Sequence, residues 1–418
     1  MNTKSSSKYN FLLIYFRFRL LPLIFVLSFQ ILVANAQPLS LANALELCLK
    51  KHPEIIAADL AILQSQQQAK AAAALQNPEI TFTNPTGDFY TIGVSQAFQL
   101  PTVYKTQKKL AKQQIAIQTA QKQVTQAQIS LMLRIAYLQA QFAQAQVELY
   151  RTTDSIYQKI VENTTRQFEA GQITALAKTY AAAEYGKIHN QLITAQAEVK
   201  HTLTVLVVYT GLAEIKAVEP LVIPDTAISL PPDAQQYPPD SASLQYHPII
   251  KLHAQNIKLA NWQKKLAKKQ ALPGFSIGYL NPSDKNTSIQ NRFSLGLSVP
   301  LWWRQYKNNI QAATTQIAIA QQQSAAAQTE LEIAQLQIKT QLQQSANELN
   351  YYLSSGNQNA AELATMATRF FMAGETDALV YLQTLRDAFA IKVAFLQSIN
   401  NYQQANLQWQ YFLLKSEQ

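Results

Sequence analysis

The histidines and the single cysteine are the side chains of this sequence best suited to bind a metal ion. Metal sites bring such ligands together at short, regular spacings. Here the histidines are dispersed, with His247 and His253 six residues apart, and the four methionines are scattered as well. The five histidines are His52, His189, His201, His247 and His253. The sequence therefore predicts no metal site, and it contains no motif that would bind a cofactor.

Side chains for catalysis are equally poorly organised. The sequence contains no nucleophile elbow, no phosphate-binding loop and no cysteine–histidine arrangement. Glu148, Asp154, Glu330 and Glu332 have polar neighbours in helical segments, as expected of solvated helix faces. Cys48 has no partner for an intrachain disulfide, and we expect it to be a buried structural thiol. The sequence thus predicts a protein that is not an enzyme.

The N-terminal segment has the three parts of a secretory signal peptide. A basic region extends from Lys4 to Arg19 and an apolar core from Leu20 to Val33, and Ala34-Asn35-Ala36 offers the small residues that a signal peptidase reads. The apolar core is shorter than the roughly 20 residues of a spanning helix, which argues against an uncleaved anchor. We therefore predict a signal peptide at residues 1–36. The chain is only mildly basic, with a net charge of +10, so nucleic-acid binding is not predicted.

The remaining sequence contains an internal repeat. His52-Pro53 recurs as His247-Pro248 at an offset of 195, and Arg166-x-Phe168-x-Ala170-Gly171 recurs as Arg369-x-Phe371-x-Ala373-Gly374 at an offset of 203. Six prolines between Pro220 and Asp240 indicate an irregular connection. The predicted parts are a first repeat at 37–215, a Pro-rich connection at 216–240 and a second repeat at 241–418.

Each repeat is predicted to contain a β-hairpin followed by two long helices. Apolar residues alternate with small or polar ones over 79–83 and 90–98, and again over 275–280 and 293–299. After each hairpin, apolar residues recur at every seventh position, as in a coiled coil. The predicted helix from Val103 to Phe168 would be about 100 Å long, and the second repeat is expected to match it. The predicted fold class is mainly α with a small β part, in two tandem repeats.

The predicted strands have an apolar face and a face of small and polar residues, as lipid-facing strands of a transmembrane barrel do. A half-buried sheet in a soluble protein is the alternative. Aromatic residues just beyond the strand ends favour a membrane, because such residues collect at the membrane–water interface. They are Tyr104, Trp302, Trp303 and Tyr306. Four strands cannot close a barrel and an open edge cannot face lipid, so we expect several chains to combine, and three chains would give twelve strands.

The order and double occurrence of these features resemble the TolC-like outer-membrane efflux proteins, over nearly the whole mature chain. The best-matching segments are Leu41-Ala-Asn-Ala-Leu45 followed by His52-Pro53, Gln96-Ala-Phe-Gln-Leu-Pro101, and the two glycine-containing tips. The resemblance implies a homotrimer with a twelve-stranded β-barrel that continues as an α-helical barrel. It also implies that this trimer is a passive exit duct in the bacterial outer membrane that extends into the periplasm. Its implied partners are outer-membrane lipid, a periplasmic adaptor (membrane fusion protein) and an inner-membrane RND pump.

Within that family, two segments look most like the outer-membrane components of heavy-metal RND pumps of the cobalt–zinc–cadmium and copper–silver type. They are Ser298-Val-Pro-Leu-Trp302 and Phe98-Gln-Leu-Pro-Thr102. This resemblance implies heavy-metal cations as the cargo. Multidrug or solute efflux and type I protein secretion remain open, since such ducts have the same fold. A periplasmic coiled-coil adaptor or structural protein is an alternative from another class, which would not need apolar strands ending in aromatic residues.

The resemblance also implies that the two helical hairpin tips form the periplasmic entrance and contact the adaptor. The residues implied in this contact are Arg166, Phe168, Gly171, Arg369, Phe371 and Gly374, although turn chemistry also explains the glycines. Many relatives carry acidic residues six and nine positions after the second glycine, where this chain has Val380 and Gln383. Glu375 and Asp377 are the nearest acidic residues, and we expect them to form a ring of negative charge at the entrance, which would favour cations.

Overall fold

Long helices and one small antiparallel sheet make up the protein in a computed structural model, which describes residues 38–84, 91–231, 244–282 and 288–413. The helices are α1 (Leu41–Lys51), α2 (Pro53–Ala71), α3 (Pro101–Glu169), α4 (Ala175–Thr210), α5 (Pro248–Gln270), α6 (Trp303–Tyr351), α7 (Asn357–Met372) and α8 (Ala378–Phe412). The strands are β1 (Glu79–Thr83), β2 (Thr91–Phe98), β3 (Gly274–Pro282) and β4 (Phe293–Ser298). The predicted class, mainly α with a small sheet, is confirmed. The predicted signal peptide and residues 232–240 of the Pro-rich connection lie outside the described residues.

The first long helix, α3, has 69 residues and a length of about 100 Å. Pro101 occupies its first turn, where the missing N–H costs no hydrogen bond, and neither proline nor glycine follows within it. Ile117, Val124 and Leu138 from the predicted heptad seam are buried. The coiled-coil period therefore predicted both this helix and its packing face.

The corresponding helix of the second half is interrupted, which the sequence analysis did not predict. A π-helical turn at Tyr352–Gly356 separates α6 from α7. Gly356 is buried there, and a Cβ atom at this position would lie 2.7 Å from Cδ1 of Tyr352. The only sequence signal for this interruption was a single glycine inside a long helical pattern.

The sheet order is β1-β2-β3-β4, and each neighbouring pair is antiparallel. Both predicted hairpins are present, and the β2–β3 pairing joins them into one sheet. The register places Ile80, Val94, Tyr279 and Phe293 in one row across all four strands. Apolar residues therefore collect on one face, while Glu79 and the small residues Ser95, Gly278 and Ser294 form a row on the other.

Helices α2 and α5 lie beside the half of α3 that adjoins the sheet. A salt bridge of 2.6 Å between Asp59 and Lys122 joins α2 to α3. The side chain of Gln113 donates hydrogen bonds to the carbonyl and the Oε1 atom of Gln255, at 3.1 and 2.8 Å, and thereby joins α5 to α3. Helix α2 ends at Ala71. Within the described ranges, no helix has both the length and the apolar character needed to cross a membrane.

The described part of the Pro-rich connection is fixed on the helices by amide side chains. Gln141 donates to the carbonyl oxygens of Glu219 and Pro220, and Gln403 donates to that of Val222. Asn350 bonds both the N–H and the carbonyl of Ile228. These bonds satisfy backbone groups of a segment that has no regular secondary structure.

Candidate functional site

Both helical hairpin tips end their outgoing helix with the same turn. Gly171 and Gly374 have φ values of 70° and 75°, which place them in the left-handed region. In the first tip, Gly171 N donates to the carbonyl of Phe168 and Gln172 N to that of Gln167. In the second, Gly374 N donates to Phe371 and Glu375 N to Phe370. This pair of bonds is the Schellman motif, so each tip is closed by its own backbone.

The returning helices begin at equivalent residues of different charge. Thr174 accepts a hydrogen bond from Ala177 N, whereas Asp377 accepts from Leu379 N and Val380 N at 2.8 and 2.9 Å. Asp377 is therefore the N-cap of α8, where a carboxylate also interacts favourably with the helix dipole. Its neighbour Glu375 is exposed, so the second tip has two acidic side chains close to one turn.

The two tip phenylalanines have different surroundings. Phe371 is half-buried and stacks on Tyr381, with ring centroids 4.6 Å apart and 3° between the planes. Phe168 is 37% exposed, and its ring lies 4.9 Å from Nζ of Lys178. Phe371 thus packs beneath its tip, while Phe168 lies on the surface in a cation–π contact.

The two tip arginines line separate surfaces. Arg166 donates to Oδ1 of Asn163 at 2.8 Å and lines a cleft of about 500 Å³ together with Phe371 and Tyr381 of the second hairpin. Arg369 is exposed and lines a shallow groove on α7 with Thr365 and Met372. The structure therefore brings Arg166 next to the second tip and leaves Arg369 facing outward.

The hairpins pack on one another below their tips. Tyr157 and Ala181 of the first hairpin share a buried cluster with Leu382 of the second. The guanidinium of Arg386 donates to the hydroxyl oxygen of Tyr180 at 3.0 Å, which joins the two returning helices, and it also pairs with Asp387. These contacts were not predicted, since residues on different hairpins have no shared spacing in the sequence.

An apolar groove lies along the second hairpin beside Glu375. Its walls include Met366, Phe370 and Val380, whose side chains are about half exposed. Val380 is one of the two positions where the resembled family often has an acid. In this chain, the surface near Glu375 is therefore mainly apolar.

The apolar face of the sheet is uncovered within the described residues. Phe82 and Leu297 are each 71% exposed, and Leu295 is 86% exposed. The ladder leaves β1 and β4 as edge strands. An exposed apolar face of this size, bordered by open strand edges, is typical of a surface that another phase or subunit covers.

The four aromatic residues near the strand ends also differ in exposure. Trp302 and Trp303 are 80% and 79% exposed at the start of α6, and Tyr306 is half-buried. The hydroxyl of Tyr104 accepts a hydrogen bond of 3.0 Å from Gln99 N and so fixes the turn between β2 and α3. Tyr104 therefore has a structural contact in addition to its place at the strand end.

Three of the five histidines have structural contacts. His52 and His247 cap α2 and α5, each accepting at Nδ1 from a backbone N–H two residues on. His247 is fully buried, and this burial lowers its pKa to about 4. His189 lies 3.0 Å from Asp154. In the part of the chain that the structure describes, no three His, Cys, Asp or Glu residues are grouped as metal ligands.

Among known proteins, the chain is similar to solved structures only. No family model matches the sequence, and no curated protein does either. The chain superposes on the solved structure of CusC with a TM-score of 0.71 and 17% identity, covering 91% of this chain and 92% of CusC. The outer-membrane protein VceC of Vibrio cholerae gives 0.71 and 16%, covering 90% and 97%. The open MtrE outer-membrane channel of Neisseria gonorrhoeae gives 0.73 and 14%, covering 89% and 88%. At these identities the likeness establishes the architecture, and the chain has the fold of the outer-membrane channels.

Proposed function

We propose that the chain is the outer-membrane channel of a bacterial tripartite efflux system and works as a homotrimer. It is a passive exit duct without enzymatic activity, inserted in the outer membrane and extended through the periplasm by its helices. The observation that carries this proposal is the register of the sheet, which sorts apolar residues onto one exposed face and small residues onto the other.

Because the edges of the sheet are open, one chain cannot complete a barrel, and the family resemblance supplies the number of three chains. Unpaired N–H and carbonyl groups cannot face lipid, so β1 of one chain must pair with β4 of the next until the sheet closes. Four strands from each of three chains give twelve. The exposed side chains of Phe82, Leu295 and Leu297 then face lipid, and the small side chains line the lumen.

The hairpin tips are the proposed entrance and the contact surface for a periplasmic adaptor, itself bound to an inner-membrane RND pump. Arg369 and Met372 are exposed on the second tip and Phe168 is partly exposed on the first, so both tips offer side chains to a partner. Glu375 and Asp377 would give three copies of a negative pair around the threefold axis.

Heavy-metal cations are the proposed cargo. This part of the proposal rests on the segments around Trp302 and Pro101 and on the negative pair at the second tip. Deleting the gene should raise sensitivity to zinc, cobalt, cadmium, copper or silver ions. Unchanged metal tolerance with increased drug sensitivity would favour multidrug efflux instead, and loss of a secreted protein would favour a type I secretion duct.

Conductance in planar bilayers tests the channel itself. The purified protein should insert and conduct, and replacement of Arg166 and Arg369 by glutamine should increase the current if the tips restrict a closed entrance. Failure of both proteins to insert or conduct would contradict the proposal. An adaptor, the alternative of another class, would stay dispersed without detergent, whereas a protein with this exposed sheet face should require detergent.

A further inference from the structure

The sheet-adjacent end of α3 has a strongly basic face. Four lysines lie at positions i, i+3, i+4 and i+7 and therefore on one side of the helix. They are Lys105, Lys108, Lys109 and Lys112. All four are exposed. Helix α3 contains no acidic residue before Glu148, so nothing on the same helix segment offsets this charge.

Helix α5 adds to this charge from the neighbouring position. Its last two turns contain four lysines and the whole helix contains no acidic residue. Those lysines are Lys264, Lys265, Lys268 and Lys269. Nζ of Lys109 and Nζ of Lys265 lie 5.0 and 4.2 Å from the centre of the Trp262 ring, so the two basic segments meet around one indole. Positive charge is therefore concentrated where the helices join the sheet.

A cavity of about 360 Å³ connects this basic surface to the apolar face of the sheet. Its lining includes Phe98 and Phe275, which stack with ring centroids 5.3 Å apart, together with Tyr104, Lys105 and Lys108. Phe98 of β2 pairs with Phe275 of β3, and Phe275 pairs with Leu297 of β4. The three residues therefore form one row of the apolar face. The cavity is thus lined by two aromatic residues of the apolar face of the sheet and by two lysines of α3.

We propose that this cavity binds an anionic phospholipid of the leaflet that borders the helices. Its acyl chain would lie along Phe98 and Phe275, and its phosphate would lie between Lys105 and Lys108. The ring of Tyr104 would then lie at the level of the headgroup. The inference rests on the proposed function, because it requires the apolar face of the sheet to lie in a membrane. An aromatic wall continuous with that face is complementary to a lipid and would add nothing to the binding of a free anion.

Lipid selectivity of the full-length protein tests the proposal. The purified protein is equilibrated in mixed micelles of phosphatidylglycerol and phosphatidylcholine with identical acyl chains, and native mass spectrometry gives the ratio of the two lipids retained. The unmodified protein should prefer phosphatidylglycerol. The double variant Lys105→Gln/Lys108→Gln should lower this preference by about fivefold for each lysine, since each basic residue near an anionic surface contributes about that factor. The variant Lys105→Arg/Lys108→Arg should retain it.

The matched control is Lys187→Gln/Lys200→Gln, which removes two exposed lysines of α4 and should leave the lipid ratio unchanged. Absence of any preference in the unmodified protein, or an unchanged ratio in the Lys105/Lys108 glutamine variant, would overturn the lipid site. Conductance in pure phosphatidylcholine bilayers separates the two proposals. A protein that conducts there without preferring phosphatidylglycerol retains the channel function and loses only this inference. A protein that inserts in neither lipid contradicts both.

Discussion

The Phe371 ring lies parallel to the Tyr381 ring, 4.6 Å between centroids, at the tip of the second helical hairpin. Applying the offset of 203 to the first hairpin gives Phe168 and Lys178, and these two residues are again in contact, as ring and ammonium group. Equivalent positions therefore form a partly buried aromatic stack in one tip and an exposed cation–π contact in the other. This difference means that the two tips should respond differently to the same substitution.

Replacing Phe371 by leucine should reduce the local stability of the second tip more than Phe168→Leu reduces that of the first. The stacked pair contributes about 1 kcal/mol beyond its buried area, whereas Phe168 is already partly exposed. Hydrogen exchange of the backbone amides around each glycine turn measures this local stability. Equal acceleration in the two variants would show that the stack has no special role.

The glycine turns give a second prediction. Ala at position 171 or 374 would have to adopt the left-handed conformation, which costs roughly 1–2 kcal/mol, although no atom lies within 4 Å of the added Cβ. Both Gly171→Ala and Gly374→Ala should therefore increase exchange and proteolysis at their own tip. Gly186→Ala is the matched control, since this glycine also has open space around it but lies inside α4. There alanine should stabilise the helix by up to about 1 kcal/mol, and a loss of stability comparable to that at the tips would contradict the conformational explanation.

Local chemistry explains which parts of the fold could be predicted from the sequence. The helix α3 begins at the proline in its first turn, and residues of its heptad pattern are buried. Both tips turn at their glycine. The alternation of the strands predicted both hairpins and which residues share a face. Each of these features depends on backbone geometry rather than on a distant partner.

Contacts between segments could not be predicted in the same way. The bond from Arg386 to Tyr180 joins residues 206 positions apart, and neither residue is unusual in its own helix. The π-helical turn before Asn357 depends on how Gly356 packs against two tyrosines. The capping role of Asp377 was visible in principle, because the equivalent Thr174 is also a favoured N-cap residue.

His247 gives a prediction about pH. Burial lowers its pKa from 6.5 to about 4, so the folded protein binds this proton more weakly than the unfolded chain does. Above pH 6.5 the histidine is neutral in both states, so its effect on the free energy of unfolding does not change with pH. As the pH falls from 6.5 towards 4, the free energy of unfolding decreases by up to about 3 kcal/mol.

The variant His247→Asn should remove this part of the acid sensitivity, since asparagine can also cap α5 but does not titrate. Thermal unfolding midpoints across this pH range measure the effect. His52→Asn, at the equivalent cap of α2, is the control and should retain the acid-dependent loss because His247 is still present. An unchanged slope in the His247 variant would show that another group causes the acid sensitivity.

The two faces of β4 should differ sharply in their tolerance of charge. Leu295 is on the apolar face and is 86% exposed, while Ser298 of the same strand is an exposed residue on the face of small side chains. If the apolar face lies in lipid, Leu295→Lys should reduce insertion into vesicles by up to about 2–4 kcal/mol, the cost of lysine near the bilayer midplane. Ser298→Lys should insert normally, because its ammonium group would face the aqueous lumen. The measurement is the fraction of folded, protease-protected protein after dilution from denaturant into vesicles. Equal insertion of the two variants would mean that the sheet does not separate lipid from water.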